Sequence, residues 1–318
     1  MYHIAALGEL LIDFTESGVS QSGMRLFEQN PGGAVANVLA AMARLGEQTA
    51  FIGKVGDDMH GRFLKETLGN AGIDTTGLVM ANDFFTTLAF VALSPNGERT
   101  FSFARKPGAD TQLRVEEINE SILKSTGILH VGSLSLTDEP ARSATHAAVN
   151  TAKAHGAVIS YDPNYRASLW KDEVMAKKRM RELLPYIDIM KLSDEETELL
   201  TDEADPELAA KRLNDRGISC VVVTLGKRGA LVSVGGGSMI VPGYRNPAVD
   251  TTGAGDAFWG GFLHRMVTLN KRPEQLTIKQ AADCADWGNA VATCCVQKRG
   301  AIPAMPTLDE VKSLMLDR

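Results

Sequence analysis

Asp250-Thr251-Thr252-Gly253-Ala254-Gly255-Asp256-Ala257-Phe258-Trp259-Gly260-Gly261-Phe262 sets two glycines around an alanine at the opening of a helical segment, Ala254–Leu269. Backbone N–H groups left free at such a helix start, with the helix dipole behind them, make a cradle for an anion. Asp256 falls in the first turn, where an ordinary helix start also carries an acidic residue. Beside an anion cradle, however, a carboxylate can take a proton from an attacking hydroxyl while the N–H groups stabilise charge on a transferring phosphoryl group. Gly260 and Gly261 allow close helix packing or are simply tolerated. A P-loop would need G-x-x-x-x-G-K-[ST], which is absent, and neither Gly253-Ala254-Gly255 nor Gly235-Gly236-Gly237 fits the dinucleotide fingerprint after a strand. The second run reads as a hairpin turn.

Outward from this stretch, short apolar runs alternate with segments of helical period, the pattern of βα units around a parallel sheet. Ile4–Leu7, Thr49–Ile52, Ile128–Val131, Val158–Tyr161, Ile187–Leu192 and Cys220–Leu225 read as buried strands, each followed by a stretch long enough for a helix. Helices are expected over Ala34–Leu45, His60–Ala71, Pro140–Ala154, Pro206–Arg216, Ile278–Cys295 and Leu308–Leu316 as well. One region breaks the rhythm. Thr86–Leu93, the turn Ser94-Pro95-Asn96-Gly97, and Glu98–Ala104 form a β-hairpin whose second strand alternates Phe101 and Phe103 with polar residues, leaving an apolar face to be covered.

The chain has 318 residues, room for two domains or one large α/β domain with an appendage. With 44% hydrophobic and 23% charged residues it is neither disordered, coiled-coil nor collagen-like. A formal net charge of −6 provides no global field toward nucleic acid or anionic lipid. The basic run Met175–Arg181 reads as a solvated helix face. The four cysteines, Cys220, Cys284, Cys294 and Cys295, form no C-x-x-C and suit a reducing cytoplasm. The six histidines show no metal-ligand spacing. The N-terminus has no basic leader and no long apolar run, so no export or membrane anchoring is expected.

The anion cradle resembles, in Asp250–Asp256, the C-terminal signature of the PfkB (ribokinase-like) family of sugar kinases. Pro31-Gly32-Gly33-Ala34-Val35-Ala36-Asn37 followed by Arg44-Leu45-Gly46 resembles its N-terminal signature. Gly8-Glu9-Leu10-Leu11-Ile12-Asp13 is similar to the family's first strand and sugar-binding aspartate, Asp162-Pro163-Asn164-Tyr165-Arg166 to its D-x-N-x-R segment, and Lys191–Glu196 to its N-x-x-E region, with Ser193 where many relatives have asparagine. The likeness spans essentially the whole chain and, within the family, is greatest to bacterial fructokinases. It implies an α/β fold, a ribokinase-like three-layer sandwich with a mostly parallel central sheet plus a small β lid. A single kinase domain would span 1–318, the lid being formed by about 14–30 and 86–105.

A sugar pocket needs a carboxylate that accepts hydroxyl protons, an amide that both donates and accepts, and backbone close enough to bond. Asp13, Asn37 and Gly32-Gly33 supply these, although Gly32-Gly33 alone could be a loop before a helix with Asn37 exposed on it. Arg166, just past a strand end, presents a fork suited to phosphate. The resemblance adds Arg105 and Asp256 to the sugar ligands. To the nucleotide it assigns Lys191, Ser193, Glu196, Thr224, Gly226, Gly229, Gly255 and Asn289. It also implies Mg²⁺ entering with ATP, with Glu196 reaching the ion through water, and a monovalent cation, K⁺ among the candidates, near Asp250 and Thr252.

The implied reaction is transfer of the ATP γ-phosphoryl group to the primary hydroxyl of fructose. Asp256 would be the base, Gly253, Ala254 and Gly255 the anion hole, and Arg166 an auxiliary. Arg105-Lys106-Pro107-Gly108-Ala109-Asp110 resembles a segment common to fructokinases and riboside kinases, so an aminoimidazole riboside, another nucleoside or 2-keto-3-deoxygluconate remains open as acceptor. A non-catalytic sugar-binding regulator would not need Asp256, and an NAD-dependent oxidoreductase lacks its fingerprint. The expected partners are ATP and the sugar, not nucleic acid or membrane, and a second copy of the chain paired through the lid's apolar face.

Overall fold

In the computed structural model, which describes residues 1–93 and 99–316, strand β1 (Tyr2–Leu7) sends Ile4 and Ala6 into one apolar core and Ala5 and Leu7 into another. Side chains alternate faces along a strand, so a run apolar at every position is a strand covered on both sides. In chain order there follow β2 (Leu11–Val19), β3 (Arg25–Gly32), α1 (Ala34–Arg44), β4 (Thr49–Gly56), α2 (Met59–Asn70), β5 (Ile73–Ala81), β6 (Leu88–Leu93) and β7 (Arg99–Ala104). Next come α3 (Glu120–Lys124), β8 (Thr126–Gly132), α4 (Ala141–Ala154), β9 (Val158–Asp162), α5 (Glu173–Glu182), β10 (Ile189–Ser193), α6 (Thr197–Thr201) and α7 (Pro206–Asp215). The chain ends with β11 (Cys220–Thr224), β12 (Ala230–Val234), β13 (Gly237–Val241), α8 (Ala254–Thr268), α9 (Ile278–Cys295) and α10 (Leu308–Leu316).

Among the described residues the main sheet has nine strands in the order β13-β12-β11-β10-β9-β8-β1-β4-β5. It is parallel from β11 to β5, and β12 and β13 run antiparallel at one edge. Helices α1, α2, α8, α9 and α10 pack on one face and α3 to α7 on the other, giving the expected three layers. Cys220 and Val222 face one core, Val221 and Val223 the other. The expectation of a helix after Cys220–Leu225 is corrected. The chain turns at Gly226–Gly229 and returns as β12, because an added Cβ at Gly229 would collide with the Val241 carbonyl oxygen and only glycine permits the tight reversal.

The hairpin β6–β7 is part of a smaller four-stranded sheet, order β3-β2-β6-β7, in which β2 and β3 form a second hairpin and β2 lies parallel to β6. Thr86 and Thr87 precede the strand and anchor it: Thr86 bonds Asp58, which also caps α2, and Thr87 bonds Asp110. The expected turn at Ser94–Gly97 lies outside the described residues, as does the side chain of Phe101. Phe103 lies on the inner face and lines a cavity between the two sheets. The outer face instead carries Phe14, stacked on Phe90 at 5.3 Å, with Phe27 edge-on to Phe90 at 6.1 Å.

The order of strands reverses at β1. From β1 the sheet grows through β4 and β5 in one direction and from β8 to β11 in the other. Open α/β sheets bind ligands outside the carboxyl ends of strands at such a switch.

Candidate active site

At that switch lies a cavity of about 440 Å³, within the range of small-molecule sites of roughly 300–1,000 Å³. Its wall brings together Asp13 and Asn30 from the small sheet, Gly33 and Asn37 from α1, Arg166 beyond β9, and Gly253 and Asp256 from the start of α8. Residues far apart in sequence thus meet at one cavity.

Helix α8 begins at Ala254, with Gly253 as its cap at φ +72°, a left-handed conformation that favours glycine. A Cβ on Gly253 would also stand 2.6 Å from that of Ala301. Asp256 is buried in the first turn and accepts a 2.7 Å hydrogen bond from Asn37 Nδ2. Burial pushes its carboxyl up to about 6, against the lowering influence of Lys191, Asn37 and Arg166. Gly33 caps α1 at φ +128°, and any side chain there would collide with the Glu9 carbonyl oxygen. A Cβ on Gly32 would collide with Asp13 Oδ2, so the glycine pair leaves that carboxylate its place. Asp13 is also held up at about 6 by burial, partly offset by Arg166, which is exposed at the rim.

The nucleotide-assigned residues continue along the same edge of the sheet. Asp162, Ser193 and Thr224 end the adjacent strands β9, β10 and β11. Lys191 Nζ bonds Asp162 Oδ2 at 2.8 Å, both side chains buried, and stands 3.0 Å from where a Cβ on Gly255 would be. A fixed cation therefore borders the anion cradle. Burial works against the ammonium charge, but the carboxylates of Asp162, Glu196 and Asp256 raise its pKa overall. Glu196 accepts from the N–H groups of Tyr165 at 2.6 Å and Ser193 at 2.8 Å, so Ser193 is tied to it through its backbone. Asp250 accepts from Thr252 N–H and Oγ1 and from Gly300 N–H, tying the loop before α8 to the segment after α9.

Two expected ligands have partners within the protein. Arg105 is not brought to the cavity wall. Its guanidinium is buried and spent on Asp110, Thr137 Oγ1 and the Leu134 carbonyl, so it braces the loops below the site. Asn289 donates to the carbonyls of Val241 and Pro242, which makes it a clamp on the loop after β13. A residue not singled out for any role, Glu9, lines the cavity. Its place immediately after the first strand was the available signal.

A profile described as pfkB family carbohydrate kinase matches residues 1–308. The chain is 41% identical over 317 residues to Fructokinase-1 of Oryza sativa subsp. japonica, covering 98% of this chain and 97% of that protein. It is similar in structure to a fructokinase with bound ATP from Xylella fastidiosa, with TM-score 0.90 at 33% identity, covering 100% and 99% of the two chains. A fructokinase from Vibrio cholerae O395 in its fructose-, ADP- and calcium-bound form gives TM-score 0.88 at 34% identity, covering 98% and 99%. With the two-sheet architecture, the anion cradle at α8 and a match over nearly its whole length, the chain belongs to the pfkB family of carbohydrate kinases.

Proposed function

We propose that the protein transfers the γ-phosphoryl group of ATP to the primary hydroxyl of fructose. The observation that carries this reading is the buried Asp256 at the first turn of a Gly-capped helix, facing a cavity that also holds Asp13 and Asn37. Relatives named as fructokinases, one solved with ATP and one with fructose, support both substrates. Asp13 and Asn37 orient the sugar, and Gly32-Gly33 lets backbone approach it. Asp256 takes the proton as the hydroxyl oxygen attacks phosphorus, ADP leaves, and the N–H groups of Gly253 and Gly255, with Lys191 and Arg166, hold the developing charge, whereas the Ala254 N–H, also expected in the cradle, donates to the Thr251 carbonyl at 3.2 Å. The small sheet serves as a lid that excludes water. Thr224, Gly226 and Gly229 flank the nucleotide beyond β11.

Among the described residues there is no group of three or more His, Cys, Asp or Glu side chains that could hold a metal; a divalent ion would enter with the phosphates of ATP. Each Glu196 oxygen is bonded to a backbone N–H but keeps acceptor capacity, which fits contact with Mg²⁺ through water. When bound, the divalent ion neutralises phosphate charge. Asp250 and Thr252 fit a neighbouring monovalent cation, because their mutual bonds fix the loop whose carbonyls would complete its coordination.

In a coupled ADP-release assay over hexoses, pentoses and ribosides, fructose is expected to give the highest kcat/KM, and a riboside or sugar acid surpassing it would overturn the choice of acceptor. Because Asp256 must be ionised and sits at about 6, kcat/KM should fall about tenfold per pH unit below that point. Asp13, held near the same value, steepens the limb toward two protons. A profile flat from neutrality down to about pH 5 would contradict the assignment.

The lid's outer face supports a homodimer. Phe27 and Phe90 are 39% and 38% exposed on it. Sedimentation velocity at micromolar concentration should show a dimer that Phe90→Asp converts to monomer, and a monomeric parent would refute this pairing. No helix among the described residues is long and apolar enough to cross a membrane.

A further inference from the structure

Glu9 follows β1 directly, at the point where strand order reverses between β4 and β8. It is 2% exposed and lines the cavity. Its Oε1 accepts the Ala34 N–H at 2.7 Å, which fixes the side chain against the first turn of α1. Its Oε2 has no hydrogen-bond partner among the described residues. Asn37, one turn along α1 and on the same cavity wall, has its Oδ1 in the same condition, its Nδ2 being committed to Asp256. Buried acceptors are almost always paired in native proteins. Two orphaned acceptors on one cavity wall therefore call for a ligand that brings donors, and a sugar edge with adjacent hydroxyls does so. Arg105, the nearby cation, does not meet the need, since its nitrogens are committed to Asp110, Thr137 and Leu134.

We propose that Glu9 is a further sugar-binding residue, its Oε2 accepting one hydroxyl proton of the bound ketose beside Asn37 Oδ1. The inference rests on the reading of this cleft as a fructose site. It separates Glu9 from a residue that only anchors α1, because the anchoring uses Oε1 and the sugar would use Oε2.

Glu9→Gln keeps an oxygen for the Ala34 N–H and replaces the orphaned acceptor by a donor. Its KM for fructose is expected to rise about tenfold to a hundredfold, with kcat lowered much less and KM for ATP unmoved. Among 1-, 3- and 4-deoxyfructose, one should bind the parent protein worse by a similar factor and lose nothing more in Glu9→Gln. An unchanged KM for fructose, or a loss of equal size on all the deoxy sugars, overturns the proposal. Should Glu9→Gln not fold, Glu9→Asp, which withdraws the carboxylate by one methylene, is read by the same criteria. A parent protein that does not phosphorylate fructose overturns the fructose reading and this inference together, whereas an active parent with an indifferent Glu9→Gln overturns this inference alone.

Discussion

Asp256→Asn is expected to fold normally and to turn over at least about two orders of magnitude more slowly than the parent, the scale of a lost general base. The substitution preserves shape, and an amide oxygen can still accept from Asn37 Nδ2, which lies 2.7 Å from the carboxylate. What it removes is the ability to receive a proton as the substrate oxygen attacks phosphorus. Stability should not fall with activity. The folded-state pKa of Asp256 is raised to about 6 from an ordinary 3.8, so the folded protein binds this proton more tightly than the unfolded chain does. The group's stabilising contribution is full below the unfolded value and is lost as pH rises through the folded one, so at neutral pH the ionised carboxylate is a burden on folding. Asp256→Asn should therefore melt at or above the parent temperature at pH 7, an advantage that fades toward pH 4. Fructose affinity measured by calorimetry should change far less than turnover. A variant that binds fructose, melts normally and retains near-parent turnover would remove Asp256 from the role of base.

That residue was legible because its chemistry is local. A glycine cap, the N–H end of a helix and a carboxylate in the first turn all fall within a few consecutive positions, and helix physics interprets them without knowledge of the fold. The central strands were legible for a similar reason, since β10 and β11 are covered on both faces, β11 reading as an unbroken apolar run over Cys220–Val223 and β10 as one broken only by Lys191. Strand β5 was missed. At the sheet's edge its Asp74, Thr75 and Thr76 carry no such run. What depended on distant partners was also hidden. Arg105 finds its acceptors at Thr137 and Leu134, and Asn289 at Val241 and Pro242, and nothing near either residue announces them. Glu9 is the clearest case: its meaning comes from the reversal of strand order at β1, which exists only once nine strands are assembled.

Lys191→Met should damage stability and activity for separable reasons. Its Nζ and Asp162 Oδ2 are 2.8 Å apart, with the two side chains 7% and 2% exposed. Removing the cation alone leaves a buried carboxylate whose remaining bond comes from the Asn164 N–H, and breaking a buried pair in this way costs about 3–5 kcal/mol. Lys191→Met should therefore unfold at markedly lower denaturant. Because the same ammonium stands against Gly255 at the mouth of the anion cradle, turnover should also drop, by about a hundredfold if it stabilises the transferring phosphoryl group as an oxyanion donor does. The double variant Asp162→Asn/Lys191→Met distinguishes the two effects. Replacing both partners of a buried pair by neutral side chains is often close to neutral for folding, so most of the lost stability should return. Turnover should remain low, because the cation beside the cradle is still missing. Recovery of turnover along with stability would make Lys191 no more than the counter-ion of Asp162 and would leave the charge of the transferring group to the α8 N–H groups and the exposed Arg166.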